Sequence, residues 1–370
     1  MKRFLSISFA ILSGLLVIVY GMACLTPYIS PARFWPMGFL GLAFPVLLVL
    51  LFFTALIWLF IRRKTGLLLL LVIVAGSKHI SVLFAWNKTN PFVQQKQQGT
   101  VRILSWNVKN FDTHDLARDS TNSLRHKMLN YINAQQADIM CFQDFAEFSN
   151  NLLPSNISYL KDSLHYTYHY FADDYKSYPP WGPAYAGIAL FSKYPLSHIE
   201  RVMYPGKRIP ESIIVADITI HNQLRRLVVT HLQSMHLKQL KPLDKEPWDD
   251  NQDSSIIYSD NRFNKLKFFL PYHAEQSEAV RKIIDESPYP VIFSADMNEV
   301  PGSYTYYRIR GNLKDVFLEK GFGLGRTYYA ISPTLRIDHL FVSPSINVVQ
   351  YKKDDIYMSD HYPQVLDVEW

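Results

Sequence analysis

The sequence predicts an α/β domain preceded by about three transmembrane helices. Two observations support this fold class. Three apolar stretches before residue 90 approach or exceed the length of a membrane span, and no acidic residue precedes Asp112. Beyond residue 100, short apolar runs such as residues 291–295 are followed directly by Asp, Asn or His, as expected for buried strands that deliver polar side chains to a sheet edge.

The apolar stretches define residues 1–90 as a membrane region in contact with the lipid bilayer. Residues 4–25 and 37–61 carry no charge, and each is long enough to span. Residues 66–86 form a weaker third span, because Lys78 and His79 interrupt it and a lysine at the centre of a span costs about 2.5–3.5 kcal/mol. The alternative for the first stretch is a cleaved signal peptide, since two basic residues precede its apolar core.

Basic residues in short flanks predict the orientation. Lys2 and Arg3 and the basic run at 62–64 fall at the same end of a two-span hairpin, whereas the loop between the spans holds only Arg33. We expect that end to be cytoplasmic. A third span then places the C-terminal domain of this integral membrane protein outside the cytoplasm, at a plasma or inner membrane.

The rest of the chain divides into a polar linker at 91–99 and one domain at 100–370. We expect residues 238–260, rich in Asp, Lys, Pro and Asn, to form a surface insertion. Residues 262–286 have helical character, although Pro271 should break or kink the helix. The two cysteines, Cys24 and Cys141, both lie in apolar segments, which excludes a disulfide framework.

The basic surplus belongs to the membrane region. Of the 38 Lys and Arg residues, eight precede residue 96, so 30 remain against 32 Asp and Glu. A nuclease that grips duplex phosphates usually carries an excess of basic residues. Net charge therefore does not support such a surface on the catalytic domain.

Three acid-bearing motifs indicate the chemistry. Asp296 and Asn298 follow one apolar run, Asp338 precedes another, and Asp360 and His361 lie near the C-terminus. Carboxylates hold a hard divalent cation, an amide orients a phosphate, and an imidazole moves a proton. The pattern favours metal-assisted phosphoester hydrolysis. Solvated turns and an Asx-turn are the structural alternatives.

Further motifs precede these in a fixed order. They are Trp106-Asn107, Gln143-Asp144, a G-x-x-x-x-S-K-x-P run at 187–195 and a T-H-L run at 230–232. The whole order resembles the endonuclease/exonuclease/phosphatase superfamily, which includes pancreatic deoxyribonuclease, neutral sphingomyelinases and inositol polyphosphate 5-phosphatases. The resemblance covers roughly residues 100–370. It implies a four-layer α/β/β/α sandwich with the active site where the two sheets open at one edge.

The resemblance also implies roles for individual residues. The implied activity is hydrolysis of a phosphodiester or phosphomonoester. The substrate would be nucleic acid, a phospholipid head group or another phosphorylated compound. No protein partner is predicted. The implied ligands of Mg²⁺ or Mn²⁺ are Asn107, Asp144 and Asp360, and the implied catalytic residues are His231, Asp296, Asn298, Asp338 and His361. Among these, His361 is the proton-transfer group and Asp338 its carboxylate partner.

The chain departs from the family at Asp144, where members usually carry Glu. A carboxylate that is one methylene shorter has to bind the ion from a different position or through water. Glu147 is the alternative ligand, and a binding protein without turnover is the alternative function. The many aromatic residues have core packing and membrane-interface positions as their commoner roles, rather than stacking on bases. Tyr304, Tyr306 and Tyr307, which follow Asn298, are the ones placed to line a substrate groove.

Overall fold

The computed structural model describes residues 2–88, 90–118, 123–149, 153–178, 182–205, 211–237, 261–332 and 334–369. The insertion predicted at 238–260 lies outside the described residues.

The N-terminal region folds into apolar helices. They are α1 (Lys2–Ala23), α2 (Pro36–Ile61), α3 (Arg63–Ala75) and α4 (Ser77–Leu83). Helices α1 and α2 are each long and apolar enough to cross a membrane, and α3 and α4 qualify as a third span only as a pair bent by 65°. Their outer faces expose large apolar side chains, including Phe53 at 57% and Phe60 at 93%. Apolar surface of this kind indicates membrane association.

The third predicted span is not one straight helix. Residues 66–86 contain the bend at Gly76, and Ala85–Trp86 is already a strand. A side chain at Gly76 would collide with the hydroxyl of Tyr20, so glycine permits α1 and α3 to approach closely at this point. Beyond the bend, His79 is 1% exposed and hydrogen-bonded to Thr26, which explains why a polar residue interrupts the apolar run.

The catalytic domain is built on two six-stranded sheets. The strands are β1 (Ala85–Trp86), β2 (Val101–Asn107), β3 (Ile139–Phe148), β4 (Tyr168–Ser177), β5 (Ala184–Ser192), β6 (Leu196–Met203), β7 (Ser212–Ile220), β8 (Gln223–His231), β9 (Val291–Asp296), β10 (Lys314–Asp315), β11 (Phe322–Gly323), β12 (Asp338–Val342), β13 (Asn347–Lys353) and β14 (Gln364–Glu369). The strand order in the first sheet is β13-β14-β2-β3-β5-β4, and in the second β10-β12-β9-β8-β7-β6; β1 and β11 form a separate short pair.

The layers confirm the four-layer α/β/β/α prediction. One core lies between the sheets and includes Ile103, Cys141 and Val229, while two others join each sheet to its outer helices. The helices of the domain are α5 (Thr113–Arg118), α6 (Arg125–Gln135), α7 (Asn156–Ser158), α8 (Arg262–Asp285), α9 (Tyr304–Arg310) and α10 (Val316–Lys320). Helix α8 passes through Pro271 as a single helix, so the expected break is absent.

The predicted linker lies along the domain. The backbone carbonyls of Val93 and Gln94 accept hydrogen bonds from the guanidinium of Arg102, at 3.2 and 2.7 Å. Arg102 is fully buried and also forms a bidentate pair with Asp367, at 2.7 and 2.9 Å. Since a buried guanidinium needs all its donors satisfied, these carbonyls belong to the folding unit of the domain.

The N-terminal apolar helices and the α/β domain share a buried junction. The hydroxyl of Thr26 donates to the carbonyl of Gly302 at 2.9 Å. The guanidinium of Arg336 donates to the carbonyl of Val82 at 2.7 Å. In α2, a Cβ at Gly41 would lie 3.3 Å from the Cα of Ser303, so the helix backbone packs directly on the loop after β9. The domain is therefore held against the helices by buried contacts.

Candidate active site

The strand order brings the predicted site residues to one edge. β2 and β3 are parallel with Asn107 opposite Gln143, and β8 and β9 are parallel with His231 opposite Asp296. Parallel neighbours end at the same edge of a sheet. β12 runs antiparallel to β9 and begins with Asp338 opposite Asp296. The two sheets thus present amides, carboxylates and an imidazole to one opening.

Asn107 connects the two sheets. Its side-chain amide donates to Asp144 at 2.9 Å and to Asp296 at 3.0 Å, one carboxylate from each sheet. Deeper in the same interface, the hydroxyls of Ser105 and Ser294 lie 2.7 Å apart. These bonds fix the spacing of the carboxylates before any ligand binds.

An irregularity in β3 determines the orientation of the Asp144 side chain. The register shifts between Phe142 and Phe145, and Asp144 has a φ of +46°. A β-bulge re-aims a side chain, and Asp tolerates the left-handed region better than most residues. The Asp144 side chain is 38% exposed toward the opening. Burial would raise the pKa of Asp144, but His231 and the Asn107 amide lower it to about 2, so the carboxylate stays ionised.

His231 lies between two carboxylates. Its Nδ1 is 3.3 Å from Asp144 and its Nε2 is 3.5 Å from Asp296. Burial would lower the pKa of His231, but Asp144 and Asp296 raise it to about 10. Asn298, which follows the end of β9 with a φ of +49°, places its amide nitrogen 3.1 Å from Nε2 of the same imidazole. An imidazole and an amide therefore adjoin each other at the opening.

His361 and Asp338 form a second buried pair. The Nδ1 of His361 is 3.0 and 2.9 Å from the two oxygens of Asp338, and its Nε2 is 3.6 Å from Asp296. Burial would lower the pKa of His361, but Asp338 and Asp296 raise it to about 10. Burial and the neighbouring Asp338 together raise the pKa of Asp296 above its usual range. One carboxylate is thus poised to take a proton and the facing imidazole is poised to give one.

The donor set fits a hard divalent cation. Ionised Asp144 lies at the opening, where it accepts from the side-chain amide of Asn107. A carboxylate oxygen of Asp296, one of Asp338 and a ring nitrogen of His361 lie within 4.8 Å of one another. Oxygen-rich sets of this kind suit magnesium or manganese. The predicted ligand Asp360 is half-buried beside this group, with a contact of 3.5 Å to the hydroxyl of Ser359.

Glu147 is not placed to substitute for Asp144. Its two carboxylate oxygens accept from the backbone N–H of Phe148 at 3.0 Å and of Ile157 at 2.7 Å. Because both oxygens are used in fixing the loop that follows β3, the structure favours Asp144 as the carboxylate of this strand.

Two of the three tyrosines that follow Asn298 make structural contacts. Ser303 caps α9, and the helix directs Tyr306 into the core, where its hydroxyl donates to Asp315, and Tyr307 onto the carbonyl of Lys78. The aromatic ring at the site is that of Tyr328, whose centroid is 4.8 Å from that of His361. No apolar run or motif marks Tyr328, so its place at the site could not be predicted from the sequence.

The buried carboxyl of Glu211, whose pKa is influenced by His231, should make the stability of the fold depend on pH. Glu211 is 2% exposed and accepts from the hydroxyl of Tyr175 at 2.6 Å. Burial raises the pKa of Glu211 from 4.5 to about 8, against the opposing effects of Tyr175 and His231. The neutral carboxyl therefore stabilises the fold fully below pH 4.5, and this contribution is lost as the pH rises toward 8.

Glu211→Gln should flatten this dependence, since the amide keeps the acceptor for Tyr175 and cannot ionise. We expect the melting temperature of the detergent-solubilised protein to fall between pH 5 and pH 8 in the wild type and to change less in the variant. Parallel curves for the two proteins would mean that Glu211 does not carry the effect.

Comparisons with known proteins agree with this geometry. The profile of the Endonuclease/Exonuclease/phosphatase family matches residues 104–361, and a domain of unknown function (DUF8431) matches residues 3–83. No curated protein matches the chain. The catalytic domain of human Nocturnin with bound sulfate is similar at 18% identity and a TM-score of 0.51, over 74% of this chain and 94% of that one. An endonuclease/exonuclease/phosphatase from Beutenbergia cavernae is similar at 17% identity and a TM-score of 0.51, over 74% and 72%.

Proposed function

The chain belongs to the endonuclease/exonuclease/phosphatase family, and from this premise we propose that it is a membrane-anchored, divalent-metal-dependent phosphoesterase. Family membership supports a phosphoric ester hydrolase in general. The observation that carries the finer proposal is the convergence of Asp296 with two imidazoles, His231 and His361, at the strand edge where Asn107 holds Asp144. The substrate of the protein would be a phosphodiester or phosphomonoester of a nucleic acid, a phospholipid head group or another phosphorylated compound.

Proton transfer is assigned to the pair Asp296 and His361. Asp296, with its raised pKa, accepts the proton of the attacking water. His361 is held as an imidazolium by Asp338, which fixes Nδ1 and leaves Nε2 as the atom that donates toward the phosphate or the leaving group. In this assignment Asp338 is a positioning residue.

Charge that develops on the phosphate is offset by His231 and Asn298. The imidazole of His231 and the amide of Asn298 adjoin each other, and preorganised polar groups of this type stabilise a developing oxyanion without reorganisation. Asn107 and Asp144 would hold the divalent ion, which when bound supplies Lewis-acid polarisation of the phosphate.

Metal dependence is the first test. We expect the solubilised protein to hydrolyse bis(4-nitrophenyl) phosphate, to lose this activity with EDTA and to regain it with Mg²⁺ or Mn²⁺. His361→Ala from the same preparation controls for contaminating phosphatases. Hydrolysis that is insensitive to EDTA would contradict the metal assignment. A protein inactive toward diesters and monoesters of every class tried would instead support the binding-protein alternative.

We further propose that the catalytic domain lies outside the cytoplasm. The end of α1, the start of α2 and the bend after α3 all adjoin the domain, whereas the basic turn between α2 and α3 lies at the opposite ends of those helices. By the bias of basic residues that turn is cytoplasmic. A fluorescent protein that folds only in the cytoplasm, fused after Trp370, should therefore remain dark, and alkaline phosphatase fused there should be active. Bright fluorescence would place the domain inside.

A further inference from the structure

A cleft separate from the active site lies between the membrane helices and the catalytic domain. Its volume is about 680 Å³. One wall comes from the membrane region, at Pro27 and in α4, and the other from α8, α9 and the turn after α9. The charged residues of its lining are Lys78, Arg281, Asp285, Arg308 and Arg310. Four basic residues and a single carboxylate thus line one open cleft.

Two of the basic groups are already neutralised. The guanidinium of Arg281 pairs with Asp285 and donates to the carbonyl of Ile309 at 3.1 Å. That of Arg308 pairs with Glu278 at 2.7 Å. They form the fixed part of the wall and add little net attraction for a ligand.

Lys78 and Arg310 are different. Within the part of the chain that the structure describes, neither forms an ion pair with a carboxylate. The ammonium of Lys78 donates to the hydroxyl of Tyr28 at 3.1 Å and lies over the rings of Tyr28 and Tyr307, at 4.5 and 5.0 Å. The Nε of Arg310 donates to the carbonyl of Leu313 at 3.2 Å. Since an ammonium has three donors and a guanidinium five, most of their hydrogen-bonding capacity is free for an anion.

The position of the cleft indicates where the anion comes from. Lys78 lies just beyond the bend that ends α3, Pro27 lies just beyond the end of α1, and both helices are apolar up to these points. Tyr28 beside the cleft is 68% exposed. Tyrosine and lysine at the end of an apolar helix are typical of the membrane–water interface, where lipid head groups lie.

We propose that this cleft binds the phosphate group of an anionic phospholipid, with Lys78 and Arg310 as its ligands from opposite walls. The guanidinium of an arginine presents a planar set of donors, and the ammonium of a lysine is a compact positive charge. Together the two groups can bind the oxygens of one phosphate. The bound lipid would bridge α4 and α9 and so stabilise the junction. The proposal depends on membrane association of the helices and is independent of any hydrolytic activity.

The test uses the full-length protein in a neutral detergent. A ligand that binds only the native state raises the melting temperature. We expect short-chain phosphatidylglycerol to raise it by several degrees, and short-chain phosphatidylcholine, which is zwitterionic, to have little effect. The doubly substituted protein, Lys78→Gln with Arg310→Gln, should lose most of the rise. Lys282→Gln serves as control, because Lys282 is on α8, which forms part of one wall, but its side chain is 73% exposed and outside the cleft lining.

Single substitutions separate binding from folding. Lys78→Arg keeps the charge and should keep the rise, even if the basal melting temperature of the variant differs. Equal rises with both lipids, or equal rises in the doubly substituted protein and the Lys282→Gln control, would overturn the site. Inorganic phosphate is tested in the same way. If it raises the melting temperature as much as phosphatidylglycerol does, and the double substitution abolishes that rise, the cleft binds soluble phosphate compounds and its assignment to lipid is overturned.

Discussion

His361→Ala should lower kcat toward an artificial phosphodiester by about 10²–10⁴-fold, the range typical for loss of a proton-transfer group. The affinity for the metal should be largely retained, because His361 contacts Asp338 and Asp296 and makes no hydrogen bond to Asn107 or Asp144. Turnover and Mn²⁺ binding, the latter followed by electron paramagnetic resonance, measure the two effects separately.

Removal of this imidazole leaves the Asp338 carboxylate buried without its partner, which typically costs about 3–5 kcal/mol. Circular dichroism must therefore show that the variant is folded before its kinetics are interpreted. Asp338→Asn provides a matched comparison: the shape is kept, His361 loses the charge that raises its pKa, and the alkaline limb of the pH profile should move to lower pH. A His361→Ala protein that is folded and as active as the wild type would disprove the assignment.

Asp144→Ala should produce the other large effect, but through the metal. It removes the ionised carboxylate that Asn107 holds at the opening, and with it charge and geometry at the ion. We expect turnover to fall by orders of magnitude and the metal concentration at half-maximal activity to rise by more than about 10–100-fold, the loss seen when only a supporting residue is removed.

Asp144→Glu distinguishes the carboxylate from the backbone that carries it. The variant keeps the charge and should retain activity far above that of Asp144→Ala. Its melting temperature should be lower, because Glu at a φ of +46° is less favourable than Asp, by about 1 kcal/mol. Glu147→Ala should stay active while losing stability in the loop after β3. Inactivity of Glu147→Ala together with wild-type behaviour of Asp144→Ala would transfer the ligand role to Glu147.

The sequence predicted those site residues whose placement follows from strand direction. Asn107, His231 and Asp296 each end an apolar run, and the two parallel pairs carry them to the same edge. Spacing alone is enough for that inference, since a strand ends where its buried run ends. The four-layer architecture followed from the family order of the motifs.

Features that depend on tertiary contacts were not predictable in this way. The orientation of the Asp144 side chain depends on a β-bulge. The sequence of the strand does not indicate where such a register shift will occur. Tyr328 reaches His361 from a segment without apolar periodicity. The bend at Gly76 depends on the position of Tyr20, 56 residues earlier in the chain, and so looked from sequence like a weak continuation of a span.

The loop after β9 rests on the N-terminal apolar helices, and this determines how far the enzyme can reach. Thr26 bonds to Gly302 and Gly41 packs on Ser303, only a few residues beyond Asp296 and Asn298. A hydrolase on a flexible tether samples a volume around its anchor, whereas this one keeps its opening at a constant height and angle relative to the helices. Substrates must reach the opening at this fixed height relative to the helices. A tilt of α1 or α2 also moves the backbone of the loop after β9, which adjoins Asp296 and Asn298.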